Sequence, residues 1–203
     1  NSAYRISYTN SSLKGYEPNS SQYKNIFNVS GNITSKDKRL NVFTTVNYFN
    51  NRTKGRQETG YGDNNIMVKF TQWGQRQLNM NELKDLYIQP DGTQGSWNMG
   101  GFDDPTIQFH NNPYWSRYKN YENDNRDRVY GNAGFSYQIL PQLKAQYKAN
   151  LDYYSMKQYE RNAVYSQEQS KYREVARTQY EINHEFMLMY NQTFHDDYSV
   201  SAN

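Results

Sequence analysis

The chain has 203 residues, 35% of them hydrophobic and 16% aromatic, with 23 Lys+Arg against 20 Asp+Glu and no Cys. A mean hydropathy of −1.15 alone would describe a chain too polar to fold, yet 21 Tyr, 9 Phe and 3 Trp are far more aromatic residues than a disordered chain carries. The small, interspersed net charge of +3 excludes an electrostatic footprint for nucleic acid, the lack of Cys excludes disulfides and thiolate metal sites, and no stretch approaches the ~20 apolar residues of a spanning helix.

A wall that is apolar on one side and wet on the other reconciles low hydropathy with high Tyr content. Each strand of a membrane β-barrel alternates a lipid-facing side chain with a lumen-facing polar one, and Tyr suits its interfacial girdles. The sequence starts Asn1-Ser2-Ala3-Tyr4 with no Met, basic n-region or apolar h-region, so any export signal is expected to have been removed or to lie outside it.

In chain order, Tyr4, Ile6 and Tyr8 alternate with Arg5, Ser7 and Thr9 as a first strand, and Lys14 to Ser21 breaks the pattern as a loop. Phe27, Val29, Gly31 and Ile33 form the apolar side of a second strand, followed by the tight turn Ser35-Lys36-Asp37-Lys38. Leu40, Val42, Thr44, Val46 and Tyr48 mark a third, with Phe43 out of phase. From about 50 to 128 the alternation is lost among Gly, Asn, Asp and Pro, and all three Trp fall there. So long an excursion is expected to fold on itself and to carry function. Within it Ile66, Phe70 and Trp73 have roughly helical spacing, and Asn79 to Leu86 predicts a second short helix.

Alternation resumes at Gly131, Ala133, Phe135, Tyr137 and Ile139, then turns tightly at Leu140-Pro141-Gln142. The fifth strand is the clearest: Leu143, Ala145, Tyr147, Ala149, Leu151 and Tyr153 alternate with Lys144, Gln146, Lys148, Asn150, Asp152 and Tyr154. A one-residue slip would put two Lys and an Asp into lipid, which fixes its register. After a polar stretch from Met156 to Arg177, Ile182, Phe186, Leu188, Tyr190 and Phe194 mark another strand, His195-Asp196-Asp197 a third tight turn, and Tyr198 to Asn203 a seventh strand. Tight turns near 36, 141 and 196 alternate with longer connections, as periplasmic turns alternate with extracellular loops in outer-membrane barrels. A soluble β-sandwich would also alternate, but with strands of ~5–6 residues, shorter than several of these.

Asn112-Pro113-Tyr114-Trp115-Ser116-Arg117-Tyr118, then Asn123 to Tyr130 and Tyr137 to Pro141, resemble the SusC/RagA family of TonB-linked outer-membrane transporters of Bacteroidetes. Lys148 to Asp152, Tyr159 to Ala163, Asn183 to Phe186, and Tyr4 to Thr9 with Pro18-Asn19-Ser20 look similar to the same family. The resemblance implies an all-β fold of antiparallel up-and-down strands, part of a 22-stranded transmembrane barrel with a plugged lumen, and one long, partly helical extracellular loop. It implies import of oligosaccharides or peptides, a SusD-like surface lipoprotein partner, and drive from the TonB complex through an N-terminal segment. By resemblance residues 1–203 are the barrel wall just after the plug. The TonB box and plug domain are then expected outside this sequence, and transport by this segment alone is not expected.

In the excursion, Trp73, Trp97, Tyr114, Trp115 and Tyr118 are candidate substrate contacts, because aromatic faces pack on sugar rings and the neighbouring Asn and Asp supply hydrogen bonds. The alternative, which the notion of a self-folding loop favours, is that these residues form the loop's own small core or contact the lipoprotein. Lys144, Lys148, Asp152, Glu181 and Glu185 are expected on the lumen side, lining a solute path, pairing with the plug or simply solvated. Asp103-Asp104 and Glu122 to Asp127 have the oxygen density of a calcium site but not the Gly and terminal Glu of an EF-hand loop. His110, His184 and His195 form no zinc motif, and no nucleophile elbow or phosphate loop is present. The expectation is a multi-pass outer-membrane, non-enzymatic protein without cofactor or metal. The rivals are a soluble or surface-attached β-rich glycan-binding module and a carbohydrate-active enzyme.

Overall fold

The computed structural model describes residues 2–56, 58–62, 64–195 and 198–203. Seven strands form one open antiparallel sheet in chain order: β1 (Ser2–Lys14), β2 (Ser21–Thr34), β3 (Leu40–Lys54), β4 (Tyr121–Leu140), β5 (Leu143–Asn162), β6 (Lys171–Phe194) and β7 (Tyr198–Ala202). The helical pieces all lie between β3 and β4: α1 (Ile66–Val68) running into a π-helical turn (Lys69–Trp73), α2 (Met80–Leu86) and α3 (Pro113–Tyr118). The architecture is therefore all-β and up-and-down, with few helices. Below, the lower end of the sheet is the one with the short turns.

Register turns the period-two pattern into two continuous faces. Ile6 pairs with Val29, Val29 with Val46, Val46 with Gly131, Gly131 with Leu151 and Leu151 with Ile182, so one row across six strands is apolar throughout. The row above runs Tyr8, Phe27, Tyr48, Val129, Tyr153 and Tyr180, a girdle of five aromatics and one Val. The next row on this face is wholly polar: Asn10, Asn25, Asn50, Asp127, Ser155 and Thr178. Two girdle hydroxyls donate upward into it, Tyr8 to Asn25 at 2.8 Å and Tyr48 to Asp127 at 2.6 Å. A ring below and a hydroxyl above is how Tyr sits at an apolar–polar boundary.

The apolar zone has a measurable height. Leu143 to Tyr153 is ten residue steps on β5, which at about 3.3 Å per residue and a tilt of about 40° rises about 25 Å, the height of the apolar band on an outer-membrane barrel. Nothing in the described residues covers this face: Phe186 is 70% exposed and Ile6, Val46, Phe135 and Leu151 are all exposed. The one imidazole within the band among the described residues, His184, faces Ala149 and is met by the Tyr147 hydroxyl at 2.7 Å.

The opposite face is polar, with rows such as Arg5, Ser30, Thr45, Asn132, Asn150 and Asn183. Phe43, out of phase in the sequence, lies on this face opposite Gly134, where an added Cβ would come within 2.7 Å of the ring. The glycine leaves the space the ring fills. At the lower end Arg39 donates to the carbonyls of Gln138 and Ile139, joining the turn before β3 to the turn after β4. His195 opens the third turn at φ +49°, while Asp196 and Asp197 lie outside the described residues.

Element boundaries differ from the alternation at the upper end. β3 continues to Lys54 and β4 starts at Tyr121, so the excursion covers 55–120 rather than about 50–128. β5 reaches Asn162 and β6 starts at Lys171, which leaves only 163–170 of the polar stretch as a connection. Above the polar row polar side chains occur on both faces of the strands, so the alternation ends while backbone pairing continues.

Candidate functional site

The excursion leans over the polar face and leaves the apolar face clear. Arg56 pairs with Glu122 at 3.1 Å, Asn64 donates to Asn162 at 3.0 Å, and Glu122, Glu160 and Asn162 all fall on the polar side by register.

α3 locks the upper connections together. Asn112 caps it by accepting from the Tyr114 N–H at 2.9 Å, and Pro113 occupies the first turn, where its missing N–H costs nothing. The Asn112 amide donates to the carbonyls of Leu83 and Gly95, at 2.7 and 2.8 Å, and the side chain is 0% exposed. Trp115, 2% exposed, donates its indole N–H to Ser166 Oγ at 2.9 Å. Ser166 and the Ala163 N–H in turn donate to Asn120 Oδ1. Arg117, 5% exposed, pairs with Glu17 at 3.1 Å and donates to the carbonyls of Pro18 and Gly55. Burial lowers the Arg117 pKa and the Glu17 charge opposes that. Gly55 has φ +63°, and an added Cβ would stand 2.2 Å from the Asn19 carbonyl oxygen. One helix thus ties together 15–20, 55–120 and 163–170.

Of the five aromatic candidates, Trp73 and Trp97 come together. They flank His110, with ring centroids 5.6 and 6.2 Å away respectively, in an open cleft of about 770 Å³ that Phe109, Lys69 and Glu168 also line. Amides of Gln75, Asn98 and Gln167 complete the wall. Two local devices build the cleft. The π-helical turn, capped by an extended Gly74, presents Lys69 and Trp73, and such turns are frequent at functional sites. The bridge Met99↔Ile107, with Gln108 N–H donating to Asn98 O at 2.7 Å, folds 97–110 back on itself so that Trp97 meets His110.

The other three are placed elsewhere. Tyr114 stacks on Tyr118, and Tyr118 meets Tyr87 at 5.5 Å; none of the three lines the cleft. Trp115 is loop core with no face open to a solute. A second cleft of about 830 Å³ lies between 89–95, 105–107 and 165–167. It is larger but has few aromatic faces, so the Trp cleft is the better candidate for a flat ligand. Beside the larger cleft, Asp91 and Asp104 each accept hydrogen bonds from a Thr two residues on, which holds both carboxyls below the usual carboxylate range.

The five charged residues expected on the lumen side share the polar face by register. Lys148 pairs with Glu185 at 3.4 Å, Asp152 forms a two-point pair with Arg128, whose Nε stands at 2.8 Å, Glu181 accepts from Asn183, and Lys144 lies opposite Gln138 and Met189. The acidic run from Glu122 to Asp127 is part of β4; its side chains alternate between faces, which disperses the oxygens a calcium site would need. Among the described residues no three His, Asp or Glu side chains gather as a metal site.

Sequence reasoning missed His110, Phe109 and Glu168, because their placement depends on long-range folding of the excursion. It also missed the structural role of Asn112, Arg117 and Asn120; the Asn-Pro pair at 112–113, a helix-start signal, would have revealed α3. No family model matches the chain, and no curated protein matches its sequence.

Proposed function

We propose that this chain is a wall segment of a TonB-linked outer-membrane transporter of the SusC/RagA type, importing glycans or oligopeptides together with a SusD-like surface lipoprotein. The observation that carries the reading is the uncovered apolar face, about 25 Å tall and closed above by an aromatic girdle and a polar row. Exposed apolar area so continuous belongs to a membrane or a large interface, not to a free monomer's surface. In this reading β1 and β7 pair with further strands, because an unpaired edge in the hydrocarbon would leave backbone donors and acceptors unmet.

The Trp73–His110–Trp97 cleft lies in the excursion, at the end with the long connections. It supplies aromatic planes with amide and carboxylate partners around them, the composition that receives sugar rings. The direct test is uptake by cells expressing the full-length protein, using a panel of labelled oligosaccharides and peptides. Trp73→Ala with Trp97→Ala is expected to lower uptake of at least one oligosaccharide by tenfold or more, roughly what loss of two stacking contacts gives, while membrane insertion is unchanged. Unchanged uptake of every oligosaccharide would remove the cleft from the pathway. A full-length protein monodisperse in water without detergent would overturn the membrane assignment and favour the surface glycan-binding module.

A further inference from the structure

The apolar face does not simply become hydrophilic above the polar row; it becomes basic. On the same side of the sheet the next rows carry Lys14, Arg52, Lys54, Lys157 and Arg161. All five are exposed. None is ion-paired with a described carboxylate, and Arg161 lies over the Tyr121 ring at 5.9 Å. Glu174 is the one acidic side chain in these rows among the described residues, and it accepts from Tyr172. The carboxylates Glu122, Asp124 and Glu160 at the same level lie on the opposite face, under the excursion.

We propose that this outward cluster binds the phosphate groups of an anionic saccharolipid, the phosphorylated glucosamine type, in the outer leaflet. The proposal rests on the membrane assignment above. Lys157 stands four residues above Tyr153 on β5, about 13 Å along the strand and about 10 Å in height. The headgroup layer is only about 5–8 Å thick, so the long basic side chains reach down along the strand into it, as Lys and Arg do at interfaces. The turn asymmetry puts this end outside. Two Arg give forked contacts to phosphate oxygens while the Lys act as point charges. Tyr23, Tyr121, Tyr159 and Tyr172 between them on the same face offer rings and hydroxyls to the lipid's sugars.

The test folds the full-length protein into nanodiscs of three compositions: phosphatidylcholine with diphosphorylated lipid A, with dephosphorylated lipid A, or with phosphatidylglycerol. Lipid retained after detergent extraction is counted by native mass spectrometry, with vesicle flotation reporting insertion. Wild type is expected to retain diphosphorylated lipid A over both other lipids, and each of R52Q, K54Q, K157Q and R161Q to lower its affinity about fivefold with flotation unchanged. Equal retention by the quadruple variant, or equal retention of phosphatidylglycerol, in protein that floats would overturn this proposal and leave the membrane assignment standing. Failure of wild type to float would overturn both.

Discussion

The sheet has two zones divided by the polar row Asn10–Asn25–Asn50–Asp127–Ser155–Thr178, and they are built on different principles. Below it each strand has one apolar and one polar face, and register alone distributes the side chains. Above it the strands continue with both faces polar, and order comes from specific buried groups: Asn112, Arg117 and Asn120, each at or below 5% exposure. The lower zone asks for little beyond apolarity on its outer side, except at Gly131, where an added Cβ would stand 2.0 Å from the Thr45 carbonyl oxygen, whereas the upper zone depends on individual hydrogen bonds. Substitutions should therefore fail in different ways in the two zones.

The largest effect is expected at Arg117. Arg117→Ala leaves Glu17 unpaired beneath the connections and strips a donor from the Pro18 and Gly55 carbonyls, a loss of about 3–5 kcal/mol for a broken buried pair. It should appear as fast amide exchange and proteolysis confined to 15–20, 55–120 and 163–170, with the sheet below still protected. Loss of protection throughout β4 and β5 would show that the zones fold as one unit.

Next comes the facing of the lower zone. Leu151→Arg, on the apolar face near mid-height, should cost about 2–4 kcal/mol in the full-length protein folded into lipid, and Asn150→Arg on the polar face about 0–1 kcal/mol. Urea titration of the two variants checks this, and equal costs would contradict the assigned facing. The smallest effect belongs to the boundary: Tyr8→Phe removes one hydroxyl from Asn25 and should cost about 0.5–1 kcal/mol, readable as a small shift in the same titration.

The zones also differ in how far they could be read from sequence. β5 was legible because every odd position from Leu143 to Tyr153 is apolar or aromatic, the period-two signal of a strand with one apolar and one polar face. Tyr121 to Arg128 was not, because Glu122, Asn123, Asp124 and Asn125 give no alternation, although they pair with Glu160 to Lys157 in unbroken register. Polar residues on both faces give no period-two signal there, and the register is inherited from the strand below. Trp73 and Trp97 were recognisable by residue type, but their meeting at His110 depends on the π-helical turn and the Met99↔Ile107 bridge, which no local pattern announces. Trp115 shows the converse: its side chain is the kind that binds ligands, and its burial against Ser166 makes it core.

The most direct test of the two-zone account is single-cysteine accessibility along β5, from residue 143 to 162, in the full-length protein in lipid vesicles. A lipid-soluble and a membrane-impermeant maleimide would be compared at each position. The account predicts that odd positions from 143 to 153 react with the lipid-soluble reagent alone and even positions with the aqueous one, with the alternation ending at Ser155. Aqueous labelling at Leu151 and Tyr153 equal to that at Asn150 and Asp152 would contradict it.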